Sequence, residues 1–262
     1  MTDYLKRIAK LRQGVNAKIF CVIAGKRLSG KTTLAGTLPG TTVLLHPITR
    51  EAGADSALAM AKDKKNQLVI ANFDDLYKDE NGSLSLTTHL NYLSLDNEVE
   101  NIYMDGISSV SNMVYDLPEV QELVANKDGF ASYRMIGDKT NEFVHILKKL
   151  TLPSFTAHPK NVYMTMALTQ KTDALGNITD VKFDVKGNMA ITEITQQCPN
   201  VAVAMMETKK DDNGQEIKRR VLLTRTQDHW PGRIGGLLDK NNPGIVEADL
   251  SVLNDLIKSA VL

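Results

Sequence analysis

The sequence predicts an α/β protein: a largely parallel central sheet flanked by helices, closed at its C-terminal end by β-hairpins. Three observations predict it. A glycine-rich loop, Gly25-Lys26-Arg27-Leu28-Ser29-Gly30-Lys31-Thr32, lies between an apolar run rich in β-branched residues (18–24) and a short helical stretch (33–38) stopped by Pro39-Gly40. Four further apolar runs alternate with stretches of helical spacing, the order that sets parallel strands side by side. After residue 170 the helical spacing lapses and alternating segments flank turn clusters, as hairpins do.

The loop fits G-x-x-x-x-G-K-[ST], the phosphate-binding P-loop, in the strand–loop–helix setting that the motif requires. Gly25 and Gly30 let the backbone wrap with its N–H groups turned inward on an anion. The helix that follows points its positive end the same way. Lys31 has the reach for β- and γ-phosphates, and the Thr32 hydroxyl suits Mg²⁺. Residues 25–33, from Gly25 through Lys26, Arg27, Leu28, Ser29, Gly30, Lys31 and Thr32 to Thr33, are therefore the expected ATP-binding set.

Length and composition narrow the class. The chain has 262 residues, 42% hydrophobic and 24% charged, enough for one large α/β domain. A formal net charge of +0 argues against coating duplex DNA by bulk charge. Two distant cysteines, Cys21 and Cys198, form neither a disulfide framework nor a zinc pattern, and the five histidines add no ligand spacing. No apolar run approaches the ~20 residues of a membrane span, and no signal-peptide pattern opens the chain. The expected setting is the cytoplasm. Residues 1–16 read as an N-terminal helical arm, with Tyr4, Ile8, Leu11 and Val15 on one stripe. It either packs on its own domain or docks on a neighbour. Residues 17–262 read as the ATPase domain.

Taken in order, Thr41–Leu45 reads as a second strand running into His46-Pro47-Ile48, and 53–65 as a helix. Gln67–Ala71 reads as a third strand ending at Asp74-Asp75, and 84–96 as a helix with Leu86, Leu90 and Leu93 inward. Asn101-Ile102-Tyr103-Met104-Asp105 is an apolar strand tipped by a carboxylate, the form of a Walker B element that holds Mg²⁺, usually through a water. Thr32 and Asp105 are the expected metal residues. Gly106 follows Asp105, so the Asp-Glu pair of AAA+ motors is missing. A helix is expected over 108–125, a looser segment around 126–129, and a helix over 138–150. Asn161–Leu168 reads as a strand leading to Thr169-Gln170, where Gln170 is placed to sense the γ-phosphate or attacking water. Residues 171–186 and 201–226 read as hairpins. Trp230 reads as a packing anchor or, alternatively, a stacking platform for a base, and 247–260 as a closing helix.

This combination resembles the phage-encoded RecA-like nucleotide-binding proteins, among them the short Sak-type single-strand annealing ATPases. The likeness covers roughly 17–235 and is carried by GKRLSGKTT at 25–33, NIYMD at 101–105 and VYMTMALTQ at 162–170. It implies a RecA-like P-loop NTPase core, ATP and Mg²⁺ as cofactors, single-stranded DNA as a candidate partner, and a phage role in DNA recombination or annealing within the host cytoplasm. The alternatives are another P-loop enzyme, such as a kinase or packaging motor, and a slow nucleotide-dependent interaction protein.

One departure bears on catalysis. Family members carry an acidic residue at the end of the strand after the P-loop helix, where this chain has His46-Pro47-Ile48; Glu51 is the expected substitute, with Asp74 and Asp75 as alternatives. The resemblance also puts DNA-contacting loops near 126–137 and 171–190, although Lys171, Lys182 and Lys186 are offset by Asp173, Asp180 and Asp184. Finally, RecA-like cores commonly take a cation from the next subunit. A homo-oligomer is therefore expected, with Lys209, Lys210, Arg219, Arg220, Arg225 or Arg233 approaching a neighbour's nucleotide and Arg225 the leading choice.

Overall fold

A computed structural model describes residues 18–48, 53–187, 194, 196–210, 214–227, 229–237 and 239–260. The N-terminal arm (1–16), Glu51 and Arg50 lie outside the described residues. Among the described residues the strands are β1 (Phe20–Gly25), β2 (Thr41–Pro47), β3 (Gln67–Phe73), β4 (Asn101–Met104), β5 (Asn161–Thr172), β6 (Ile178–Phe183), β7 (Asn200–Lys210), β8 (Glu216–Leu223) and β9 (Ile245–Glu247). They form one mixed sheet in the order β3-β2-β4-β5-β1-β7-β8-β9, with β6 paired to β5. Six strands, β3 through β7 along that order, run parallel. β6, β8 and β9 join antiparallel.

The centre of the sheet is buried on both faces, which is why its central strands read as unbroken apolar runs. Successive side chains alternate between the faces. On β1, Phe20, Val22 and Ala24 enter one core layer, with Ile102 and Met104 of β4 and Val162, Met164 and Met166 of β5. That layer lies under α2 (Leu86–Leu95), α3 (Ile107–Tyr115), α4 (Pro118–Ala125) and α5 (Gly129–Lys149). Cys21 and Ile23 enter the other layer, with Tyr103, Tyr163, Ala202 and Leu222. There a short 3₁₀ helix (Thr32–Thr37), α1 (Ala54–Lys64) and α6 (Leu250–Ser259) cover the sheet. Cys21 is fully buried, and that burial pushes its thiol up to about 12, so it stays a neutral packing group.

Three stretches differ from expectation. The helix over 108–125 is two helices, because Pro118 opens a new one and Leu117 before it is extended. The stretch 129–137 is helical rather than loose: Asp128 caps α5 by accepting from the Ala131 N–H, and Ser132, Ile136, Thr140, Phe143, Val144 and Leu147 form one buried stripe. The first expected DNA-contacting loop is thus mostly the start of a helix. The third is β9, a short edge strand added beside β8. Trp230 is half-buried and packs on the first core layer.

Asp249 ties α6 to α1. It caps α6 by accepting from the Ser251 N–H, and its Oδ2 pairs with Lys64 Nζ at 2.8 Å. Burial pulls the Asp249 carboxyl up, but the Lys64 ammonium and the Ser251 bonds outweigh it and hold the group below the usual carboxylate range. A depressed carboxylate contributes stability that is present above its unfolded pKa, about 3.9, and lost as pH falls through the folded value. Wild type is therefore expected to lose stability faster than Asp249→Asn below about pH 4, as acid titration of urea midpoints measures.

Candidate functional site

The site gathers at the C-terminal ends of the parallel strands, where strand order reverses on either side of β1 and a crevice is expected in α/β sheets. β1 delivers the 25–33 loop there. β5 lies between β1 and β4, so one strand separates the loop's strand from the one that ends at Asp105.

Two glycines shape the loop. A Cβ on Gly25 would come within 2.5 Å of Ser29 Oγ and 2.7 Å of the Ala204 carbonyl, so any side chain there would push the loop off β7. Gly30 has φ +86°, a left-handed value that other residues adopt at a cost. Leu28 also has positive φ, at 63°, and is 98% exposed, so the loop tip turns its side chain outward. Lys31 Nζ donates to the Gly25 and Lys26 carbonyls at 3.0 and 2.7 Å, which folds its ammonium across the loop. Thr33 Oγ1 lies 2.8 Å from Ser56 Oγ and fastens the loop's exit to α1. The stretch after the loop is a single 3₁₀ helix rather than a longer α-helix.

Asp105 sits beneath, 1% exposed. Thr32 Oγ1 donates to its Oδ2 at 3.0 Å, linking the loop to β4. Thr165 on β5 donates to its Oδ1 at 2.9 Å and accepts from the Gly106 N–H at 2.6 Å. His46 Nδ1 at the end of β2 is 3.2 Å from Oδ2. Asp105, Thr165 and His46 follow Tyr103, Tyr163 and Leu44 by two residues, so all three face the layer that carries the loop. Tyr103 OH donates to the Lys31 carbonyl at 2.6 Å from within that layer. Tyr103→Phe is expected to lower stability by about 1 kcal/mol, read from urea denaturation.

The sequence-predicted residues divide between those the fold brings together and those it does not. Thr32 and Asp105 meet, and Lys31 lies across the loop on the Gly25 and Lys26 carbonyls. Gln170 lies three residues past Ala167, the partner of Gly25, in the β5–β6 hairpin opposite Val181. It shares parity with Met166 and Leu168 of the other core layer, and the β5 residue that touches Asp105 is Thr165. Asp75 is committed to a turn, accepting from the Tyr77 and Lys78 N–H groups, and Asp74 is exposed on the edge side of β2. The Arg225 guanidinium lies against Gly244, Arg233 donates to the Cys198 carbonyl at 2.7 Å, and Arg219 forms a two-pronged pair with Glu207 at 2.7 Å. Arg220 packs on Gly30 of its own chain.

His46, Thr165 and Tyr103 carry contacts that motif reading missed. Each is a polar group set singly in an apolar strand, a signal that parity could have sorted onto the face of Asp105. A concavity of about 520 Å³ runs along α5 past Asp138, Glu142 and His145, and none of the residues from the 25–33 loop or Asp105 lines it. No helix among the described residues is long and apolar enough to cross a membrane.

The residues present fit a magnesium nucleotide. Ser29 Oγ is buried without a hydrogen-bond partner at the loop's floor, and the Thr32 hydroxyl and Asp105 carboxylate form the hard oxygen set that Mg²⁺ prefers. No protein-family model matches this chain, and no curated protein matches it.

Proposed function

We propose that the chain binds ATP with Mg²⁺ in the 25–33 loop and hydrolyses it, as a RecA-like P-loop ATPase of the kind that phages use in DNA recombination or single-strand annealing. The observation that carries this reading is the 3.0 Å bond from Thr32 Oγ1 to Asp105 Oδ2, because it joins the two metal residues that the motif requires across 73 positions of sequence. Mg²⁺ would offset the charge that develops on the terminal phosphoryl oxygens. Lys31 would bring its ammonium to the β- and γ-phosphates by exchanging its backbone carbonyl partners for phosphate oxygens. Thr165 and the Gly106 N–H hold Asp105 oriented toward the loop.

The DNA role rests on the family resemblance, and the RecA-like assignment is supported by the strand order, with β5 between the strands of the loop and of Asp105.

A second reading is a nucleotide-dependent protein with slow turnover. His46 favours it: at the strand end where the family carries a carboxylate base, an imidazole faces Asp105.

Multiple-turnover ATPase assays with and without single-stranded DNA separate the readings. Hydrolysis stimulated by DNA is the result expected of the first. Tight binding with negligible turnover under both conditions selects the second, and no nucleotide binding at all removes both.

A further inference from the structure

The flank of the loop opens into a cavity of about 210 Å³. Ser29, Gly30 and Thr33 line it from the loop, Met60 from α1, Arg220 from β8 and Glu247 from β9. Two polar groups in it lack protein partners. Ser29 Oγ is buried with no hydrogen bond. The Arg220 guanidinium lies on Gly30, where a Cβ would come within 3.1 Å of its Cζ and Nε. Unlike Arg219 beside it, it has no hydrogen-bond or ion-pair partner among the described residues. Arg220 shares strand parity with Leu222, which packs in the core layer on the loop's side of the sheet, so β8 directs this cation at its own chain's loop.

We propose that this cavity receives the nucleoside part of a nucleoside triphosphate, with Glu247 selecting a base that bears an exocyclic amine and Arg220 holding the junction of nucleoside and phosphates. The inference rests on the reading of the 25–33 loop as a phosphate site. The wall chemistry suits it. The Met60 thioether adapts to a flat ring. An exposed carboxylate accepts a hydrogen bond from an amine such as the N6 group of adenine, whereas a carbonyl in the same place meets acceptor with acceptor. A guanidinium offers several donors in one plane, enough to reach a phosphate oxygen and a ring or ribose acceptor together. The hairpin thus supplies a cation in cis, within the subunit that holds the loop.

Isothermal titration of the full chain with the magnesium complexes of ATP, ITP and tripolyphosphate tests this. ATP is expected to bind about tenfold more tightly than ITP, and both more tightly than tripolyphosphate. Glu247→Gln should bring the ATP and ITP affinities together and leave tripolyphosphate unchanged. Arg220→Ala should weaken ATP about tenfold. Tripolyphosphate binding as tightly as ATP would overturn the nucleoside pocket while leaving the phosphate loop standing. So would equal ATP and ITP affinities in wild type, or an undiminished preference in a folded Glu247→Gln chain. Failure of all three ligands to bind would remove the loop reading and this inference with it.

Discussion

Lys31→Ala is expected to abolish ATP turnover and to weaken Mg-ATP binding at least about tenfold, roughly 1.4 kcal/mol or more, while the chain stays folded. Both halves follow from where the ammonium lies. It reaches across the loop to the Gly25 and Lys26 carbonyls, so removing it costs the loop its one cation folded inward over the strand end. Lys26 and Arg27 are exposed and Leu28 points out, so no neighbour in the loop supplies the same charge. Of the two carbonyls that lose their donor, that of Lys26 is exposed, where water replaces it, and the bond to Gly25 is part-buried, so the expected stability cost is about 1 kcal/mol. Titration calorimetry for binding and circular dichroism for folding check the two halves together. Wild-type nucleotide affinity in a folded variant would contradict the assignment of the loop.

Asp105→Asn is expected to spare metal-free nucleotide binding and to lower Mg²⁺-dependent turnover on the order of a hundredfold. The carboxylate is buried and accepts from Thr32 and Thr165 with His46 alongside, so its geometry is fixed from three directions. An amide keeps the shape but loses the charge and one acceptor. Some stability is lost as well, about 1–2 kcal/mol, because one buried hydroxyl must turn away or go unpaired. A truncation to Ala would strand all three neighbours, so the Asn variant separates chemistry from folding more cleanly. Turnover measured against Mg²⁺ concentration decides it; a normal metal dependence would move the metal role off β4.

The sheet was legible because its central parallel strands are buried on both faces and announce themselves as apolar runs. The meeting of Thr32 with Asp105 was legible because two motifs demanded it. Strand order was not, and it governs the rest. Only with β7 laid beside β1 does the β7–β8 hairpin come over the loop, so Arg220 reads from sequence as one cation among six. Gln170 reads from sequence as lying at the tip of a strand that ends near Leu168, whereas β5 runs on to Thr172 and parity sets Gln170 with Met166 and Leu168. The segment after Asp128 looked loose because Asn126-Lys127-Asp128-Gly129 is turn chemistry, yet the same Asp serves as a helix cap. Short edge strands such as β9 have too few residues to show any period.

His46 is the residue where resemblance and geometry pull apart. A family carboxylate would accept a proton from water, whereas the imidazole here is engaged with Asp105 at 3.2 Å and buried. The proposed nucleotide binding is expected to survive a change at that residue, since the loop, Lys31 and Thr32 come from β1 and its extension. Binding therefore comes before turnover. Equilibrium dialysis of the full chain against Mg-ATP tests it most directly: one nucleotide bound per chain, lost in Lys31→Ala, is the predicted result, and no retained nucleotide at millimolar ATP, or equal retention by the folded variant, would contradict it.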